Sequence, residues 1–214
     1  MSFPYALELA AFALARPRCA ACDAPTGLLR AFCSACAMTV VPATRRRPGG
    51  AAFAYGGAIA RVIARLKYER RPDLARPLGD LLARALEPQR ALLSDVVVVP
   101  VPLHANRLTE RGFNQSALLA GRVAHGLRAP LWALALRRWQ DTPHQTTLDR
   151  RARAKNVVGA FVARQAARIH GRRVLLVDDV RTTGATLGAC EQALREAGAS
   201  SVEWAVVAQA EAAT

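Results

Sequence analysis

The chain has little lysine, few aromatic residues and no long apolar run. Of its 30 basic residues, only Lys67 and Lys155 are lysines, so arginine supplies almost all of the positive charge. Aromatic residues make up 6% of the sequence, which leaves few rings on which unpaired nucleic-acid bases could stack. No apolar segment is long enough to cross a bilayer. The sequence therefore predicts no transmembrane segment.

The first residues of the sequence also lack the pattern of a secretory signal. The first residues lack a basic segment, and Arg16 interrupts a modest apolar stretch. We therefore expect a cytoplasmic protein, whose cysteines stay reduced. Residues 1–16 have helical periodicity and are expected to form an N-terminal helix on the main domain. A short amphipathic membrane contact is the alternative.

The composition is that of a folded protein with a large positive charge. The 214 residues are 52% apolar, which is enough to bury a sizeable core. The formal net charge is +14, more than one anionic ligand requires. A second polyanion, most simply single-stranded DNA, is one explanation, and an arginine-rich genomic composition is the other. The arginine clusters are at 45–47, 70–71, 150–155 and 164–173.

Four cysteines near the N-terminus form two closely spaced pairs. Cys19 and Cys22 lie in a CAAC motif, and Cys33 and Cys36 lie in a CSAC motif ten residues later. Two such pairs can direct four thiolates at one tetrahedral Zn²⁺, which would be structural because all four positions are filled. Two disulfides or redox-active dithiols are the alternative. We predict a zinc-binding module over residues 17–42 and treat Cys190 as a core residue.

Residues 172–188, RRVLLVDDVRTTGATLG, combine an apolar run, two carboxylates and a small-residue turn. Val174–Val177 has the character of a strand that is buried on both faces of a parallel sheet. We expect Asp178 and Asp179 to follow at the carboxyl edge of that sheet, where ligands bind in open α/β folds. The hydroxyls and backbone N–H groups of 182–186 suit a phosphate at a helix N-terminus. The carboxylates suit ribose hydroxyls, or a magnesium ion bound through water.

Neighbouring segments predict the rest of a βαβ unit. Leu187, Cys190, Leu194 and Ala197 share one helical face, and Gly198 suits the end of that helix. A strand is expected at 201–207, joined by a right-handed crossover. Another buried strand is expected at 95–99 and is ended by prolines.

The segment from Asp178 to Thr186 is similar to the signature for 5-phosphoribosyl-1-pyrophosphate (PRPP) in type I phosphoribosyltransferases. The resemblance implies an α/β domain over residues 51–210, a parallel sheet flanked by helices. It further implies that Asp178 and Asp179 are catalytic and orient the ribose, while Mg²⁺ accompanies PRPP. The residues implied to bind PRPP are Asp178, Asp179, Val180, Arg181, Thr182, Thr183, Gly184, Ala185 and Thr186.

A four-cysteine module followed by such a domain resembles the ComF family, which includes the ComFC proteins of natural competence. The PVPL segment at 100–103 and the RGFNQ segment at 111–115 are similar to central elements of that family. The resemblance implies a role with imported single-stranded DNA and a competence helicase as partner. It also implies a pyrophosphate side formed by Pro100, Val101, Pro102, Leu103, Arg107 and Arg111. A rigid turn and solvated arginines are the alternative interpretation.

Three other features lie near this predicted pocket. Residues 140–157 are polar with a basic end, which suits a mobile cover in which Gln145 and Arg153 contact substrate; an ordinary exposed connection is equally compatible. Lys67, at the end of an apolar helical pattern, is a weaker candidate for the pyrophosphate. Arg181 could pair with the two aspartates or extend a basic track. The segment 41–50 is expected to link the two modules.

Two functions remain open at the level of sequence. The first is a phosphoribosyltransferase that transfers phosphoribose from PRPP to an unidentified base or amine and releases pyrophosphate. The second is a competence factor that binds DNA and uses the pocket as a ligand sensor. The motifs identify neither an acceptor nor a base, and fold alone does not decide function.

Overall fold

The computed structural model describes residues 17–27, 30–43, 49–140 and 159–210. Its centre is a four-stranded sheet in which all neighbouring strands are parallel. Across the sheet the strands are β1 (Gly49–Ala54), β6 (Ser201–Gln209), β5 (Arg173–Arg181) and β2 (Val96–Pro100). A separate antiparallel pair consists of β3 (Leu136–Arg138) and β4 (Phe161–Ala163).

Helices cover both faces of this sheet. The described helices are α1 (Ser34–Ala37), α2 (Gly57–Tyr68), α3 (Ala75–Leu86), α4 (Ala105–Arg111), α5 (Gln115–Leu127), α6 (Ala166–Ile169) and α7 (Ala185–Glu196), with short 3₁₀ turns at Pro72–Leu74 and Glu87–Gln89. One buried cluster joins α2, α3 and α5 to the sheet, and a second joins α7, β3 and β4 to the opposite face. The α/β fold with helices on both faces is thus confirmed.

The apolar runs in the sequence explain why the strands lie in the middle. In β2, Val96 and Val98 belong to one buried cluster, while Val97 and Val99 belong to the other. Successive strand residues point to opposite faces, so a strand covered on both sides needs apolar residues at every position. Burial of the whole β2 run follows from that requirement.

The strand that carries the two aspartates is longer than expected. We expected the chain to leave the sheet after Val177, but β5 continues to Arg181 and pairs with β6 along this extension, for example Asp178 with Val206. On the other side, β2 ends where Pro100 pairs with Val177. The aspartates therefore lie beyond the end of β2 while the backbone is still held by β6.

The four-cysteine segment packs directly on the α/β domain. Cys19, Phe32 and Cys36 are buried in the same cluster as residues of α2 and α3. Part of the predicted linker at 41–50 also contacts the sheet. Pro42 forms an isolated β-bridge with Phe53, and β1 begins at Gly49. The predicted helix over 1–16 and the arginines at 45–47 lie outside the described residues. In the described ranges, no helix is long and apolar enough to cross a membrane.

Candidate functional site

Asp178 and Asp179 are buried polar residues at the carboxyl end of β5. They are 8% and 3% exposed, and each carboxylate has partners of its own. Ser116 Oγ donates to Asp178 Oδ1 at 2.7 Å, and the backbone N–H of Asp179 donates to the same oxygen at 2.9 Å. Lys67 Nζ lies 2.5 Å from Asp179 Oδ2. The pair is therefore held between the start of α5 and the end of α2.

Burial and mutual repulsion shape the charge of this group. Desolvation, together with the neighbouring charge of Asp179, raises the pKa of Asp178 to about 7. For Lys67, burial alone would lower the pKa, but the charge of Asp179 outweighs it and the pKa is raised. At neutral pH the lysine thus stays cationic and compensates one of two adjacent carboxylates.

The RGFNQ segment connects the turn after β2 to the aspartates. Asn114 is the N-cap of α5: its side chain accepts from the N–H of Ser116 at 3.0 Å. Its Nδ2 also donates to the carbonyl of Val101 at 3.0 Å. Because α5 begins at this cap, Ser116 is placed on its first turn within reach of Asp178. One asparagine therefore fixes both the PVPL turn and a partner of the carboxylates.

The residues predicted for the pyrophosphate side lie in different environments. Pro100 is the last residue of β2, Val101 is buried, and Pro102 and Leu103 lie in the turn before α4. Arg107 and Arg111 share α4. Both have partners: Arg107 pairs with Glu110 at 3.4 Å, and Arg111 donates to Gln115 Oε1 at 2.5 Å.

Of these two arginines, Arg111 is better placed to interact with the aspartates. Burial lowers the pKa of Arg111, and the negative charge of Asp179 opposes that shift. Arg107 is partly exposed and pairs with Glu110 on its own helix.

The Thr/Gly segment forms the turn from β5 into α7. Gly184 is the N-cap of α7 and has a φ of 82°, a left-handed conformation that favours glycine. Thr183 Oγ1 accepts from the N–H of Ala185 at 3.3 Å. Thr182 is exposed and Thr186 is partly exposed on the first turn. Open N–H groups, hydroxyls and the positive end of a twelve-residue helix suit a phosphate here.

Arg181 contacts neither aspartate in the hydrogen bonds and ion pairs of the described chain. Its guanidinium lies over the ring of Trp204, 4.9 Å from the centroid, and donates to Gln209 Oε1 at 3.2 Å. A Cβ added to Gly184 would lie 3.0 Å from Arg181 Nε. The arginine is therefore packed close beside this turn, and a Cβ at Gly184 would require its side chain to shift by a few tenths of an ångström.

The four cysteines of the N-terminal segment converge on one point. Their sulfurs all lie within 4.8 Å of one another, and each is a free thiol. Cys22 Sγ is 3.8 Å from Cys33 Sγ and 3.6 Å from Cys36 Sγ. A tetrahedral Zn²⁺ with Zn–S bonds near 2.3 Å has S–S edges of roughly 3.8 Å, whereas a disulfide S–S bond is about 2.0 Å. The geometry fits a metal such as zinc and not the disulfide alternative.

The surroundings of these sulfurs also suit a metal. Burial opposes ionisation of Cys19, but the N–H groups of Cys33, Ala21 and Cys22 lower its pKa to about 6. Burial and the neighbouring sulfurs raise the pKa of Cys36 to about 12, since a second thiolate would stand beside the first. A dication would remove that repulsion. Cys190 is buried on α7, where desolvation raises its pKa, so it is unreactive core.

Two residues of the site were undervalued or missed from sequence. Lys67 was a weak candidate, although one of two lysines in an arginine-rich chain is a usable signal. Ser116 was not singled out, and its role depends on a contact across 62 positions of sequence. Gln145 and Arg153, predicted for the substrate cover, lie outside the described residues.

Part of the described basic surface is engaged in internal contacts. Arg71 pairs with Asp73 at 2.7 Å and Arg122 pairs with Asp80 at 2.7 Å. Arg173 donates to the carbonyls of Leu92 and Ser94. These arginines contribute to the net charge without being free cations, which reduces the surface available to a second polyanion.

Comparisons with known proteins show what this chain is similar to. The family profile "Phosphoribosyl transferase domain" matches residues 114–214. The DNA utilization protein YhgH of Salmonella typhi is 31% identical over 188 residues, covering 86% of this chain and 81% of that protein. The protein of the same name from Escherichia coli K12 is 35% identical over 152 residues, 70% of this chain but only 66% of its own length.

Competence protein F of Haemophilus influenzae is 32% identical over 146 residues, 66% of this chain and 64% of that protein. Among solved structures, the glutamine PRPP amidotransferase from B. subtilis, complexed with ADP and GMP, has a TM-score of 0.45 and 24% identity, and the match covers 67% of this chain and 30% of that one.

Proposed function

Because this chain belongs to the ComF family, as its match to most of the length of the Salmonella typhi relative shows, we propose that its phosphoribosyltransferase-like domain binds PRPP together with Mg²⁺. The observation that carries the proposal is the buried pair Asp178 and Asp179 beside an open helix N-terminus at the edge of a parallel sheet. One short segment thus carries both carboxylates and N–H groups that can donate hydrogen bonds to a phosphate.

Each part of the ligand has a matching group in this proposal. The N-terminus of α7 with Thr182, Thr183 and Thr186 receives the 5-phosphate. Asp178 and Asp179 accept hydrogen bonds from the ribose hydroxyls, after the ligand competes with their present partners. Arg111 and Lys67 face the diphosphate, and Mg²⁺ bound with PRPP neutralises part of its charge.

Binding can be tested by calorimetry with PRPP, with and without Mg²⁺. We expect Asp179→Asn to weaken binding at least tenfold, because the segment loses a charged acceptor. Asp95→Asn is the matched control: Asp95 is exposed and has a φ of 59°, which asparagine tolerates. Equal affinity of Asp179→Asn and the wild-type protein would refute the proposed site.

We further propose that the pocket can turn PRPP over. The supporting observation is that two cations, Lys67 and Arg111, lie near the carboxylates where a leaving diphosphate would build up charge. The bond broken is that between the anomeric carbon and the diphosphate, and a base or amine would form the new one. Release of pyrophosphate from PRPP, lost in Asp178→Asn and Asp179→Asn, would support this activity. If the protein binds PRPP tightly but releases no pyrophosphate in the presence of bases and amines, the pocket is a ligand sensor.

The printed names of the relatives, "DNA utilization" and "Competence protein F", support a proposed role with DNA. We propose that the remaining basic surface contacts single-stranded DNA, and that a competence helicase is a partner. Fluorescence anisotropy across a salt series tests the first part, since each neutralised phosphate adds to the salt dependence. A salt slope near zero, or no binding at low salt, would exclude it.

A further inference from the structure

One side of α2 is in continuous contact with the four-cysteine segment. At the start of the helix, Thr39 Oγ1 accepts from the N–H of Ala58 at 2.9 Å and donates to the carbonyl of Cys36 at 2.8 Å. A Cβ on Gly57 would lie 2.4 Å from the carbonyl oxygen of Thr39. The four-cysteine segment therefore packs against the first turn of α2 so closely that a Cβ at Gly57 would clash with it.

Two arginines extend this contact along the helix. Arg61 Nη2 lies 3.7 Å from Cys36 Sγ. Arg65 Nη1 donates to the carbonyl of Ala20 at 2.9 Å, and Arg65 also forms an ion pair with Asp23. Positions 58, 61 and 65 are separated by three and four residues and so share one helical side. Each turn of that side is tied to the cysteine segment.

The other end of the same helix reaches the carboxylates. Lys67 is two residues beyond Arg65, and its Nζ lies 2.5 Å from Asp179 Oδ2. The Lys67 side chain is 20% exposed and that of Asp179 is 4% exposed, so the ion pair is largely shielded from water. With a rise of 1.5 Å per residue, α2 spans about 13 Å between Ala58 and Lys67. A rigid rod of this length connects the cysteine segment to the pocket.

We propose that the four-cysteine module positions Lys67 against Asp179 through α2, and thereby sets the affinity of the pocket for its phosphoribosyl ligand. The inference rests on the proposed function of that pocket. Without the ammonium group, two adjacent buried carboxylates would repel each other and turn away or take up a proton. The ion pair with Lys67 compensates the charge of the Asp179 carboxylate and holds it in place, where it can accept hydrogen bonds from hydroxyl groups. Lys67 acts directly on the pocket, and Thr39, Arg61 and Arg65 are positioning residues.

The scarcity of lysine makes this coupling measurable. Reductive methylation with ¹³C-formaldehyde labels Lys67 and Lys155, the lysines of the sequence, together with the α-amino group, and keeps their charge. A Lys155→Arg variant identifies the Lys155 signal by its loss, and the α-amino signal is distinguished by its lower pKa. The signal of Lys67 at a fixed pH then reports its pairing with Asp179, and Asp179→Asn defines the unpaired position.

The decisive variant is Thr39→Val, which keeps the shape of the side chain but removes the hydroxyl. We expect the Lys67 signal to move toward its position in Asp179→Asn, and PRPP affinity to fall about three- to tenfold. Thr39→Ser restores the hydroxyl and is expected to restore both. Thr26→Val is the matched control, because Thr26 bonds the carbonyl of Phe32 inside the cysteine segment and makes no hydrogen bond to α2 among the described contacts. It should leave signal and affinity unchanged.

The outcomes separate this inference from the proposed function. A folded, metal-replete Thr39→Val with an unchanged Lys67 signal overturns the coupling, whether or not PRPP binds. If the Lys67 signal moves in Thr39→Val but the wild-type protein binds no PRPP, the proposed function and the effect on affinity are refuted. The link through α2 still stands in that case. If Thr39→Val does not fold, Arg65→Met removes the contacts to Ala20 and Asp23 and carries the same expectations.

Discussion

At the scale of single residues, the site consists of charges that the fold brings out of water and compensates only in part. Among the described residues, Asp178 has two hydrogen-bond donors but forms no ion pair, whereas Asp179 is paired with Lys67. Burial therefore raises the pKa of Asp178 to about 7. A group in that condition costs stability when ionised and is ready to accept a ligand that brings donors or a metal.

The raised pKa predicts a specific dependence of stability on pH. The folded value of about 7 exceeds the reference value of 3.8, so Asp178 contributes stability below pH 4 that is lost as the pH rises toward 7. We expect Asp178→Asn, which keeps the acceptor for Ser116, to raise the free energy of unfolding at pH 8 relative to the wild-type protein, by on the order of a few kcal/mol. Urea unfolding at pH 5 and pH 8 measures this. An equal pH dependence in both proteins would contradict it.

At the scale of elements, the turn between β5 and α7 combines two requirements at Gly184. The helix begins at its left-handed φ of 82°, and a Cβ there would lie 3.0 Å from Arg181 Nε, closer than side chains usually pack. The same turn carries the N–H groups proposed for the phosphate. Backbone conformation and ligand binding therefore depend on one glycine.

We expect Gly184→Ala to destabilise the protein by about 1–2 kcal/mol through the left-handed conformation, and to weaken PRPP binding by displacing the turn. Gly188→Ala is the matched control on the same helix: a Cβ there meets nothing within 4 Å. It should stabilise α7 by up to about 1 kcal/mol and leave affinity unchanged. Thermal unfolding and PRPP calorimetry test both variants, and equal effects would disprove the special role of Gly184.

At the scale of the whole molecule, the cysteine segment and the α/β domain share one core. Cys19, Phe32 and Cys36 are buried together with residues of α2 and α3, so loss of order in the segment exposes the face of α2. A metal bound at the four thiols would therefore stabilise the main domain as well as its own loop.

Removal of the metal should lower the stability of the entire protein. We expect Cys33→Ser, or treatment with a zinc chelator, to cost about 3 kcal/mol or more, which is a decrease of about 6–12 °C in the melting temperature for this chain length. Cys190→Ala should keep the metal, since Cys190 lies on α7, away from the four sulfurs. Metal content by a colorimetric assay and calorimetric melting measure both. A metal-free protein with unchanged melting would contradict the prediction.

Local patterns predicted most of the elements and the chemical type of the site. The continuous valine run of β2 and the helical spacing from Leu187 to Leu194 both appear in the structure. These features depend on near neighbours in the chain. The length of β5 was predicted incorrectly, because pairing with β6 holds polar residues that an apolar pattern assigns to a loop.

The sequence alone determined the α/β class, the two cysteine pairs and the carboxylate and phosphate-binding segment, because each is written in residues close together along the chain. Only the tertiary structure decided which distant groups meet: Ser116 on Asp178, Lys67 on Asp179, and Thr39 on the first turn of α2. Such contacts depend on how the helices pack over the sheet edge. Local periodicity carries no information about that packing, so the electrostatics of the pocket and its link to the cysteine segment became visible only in the folded molecule.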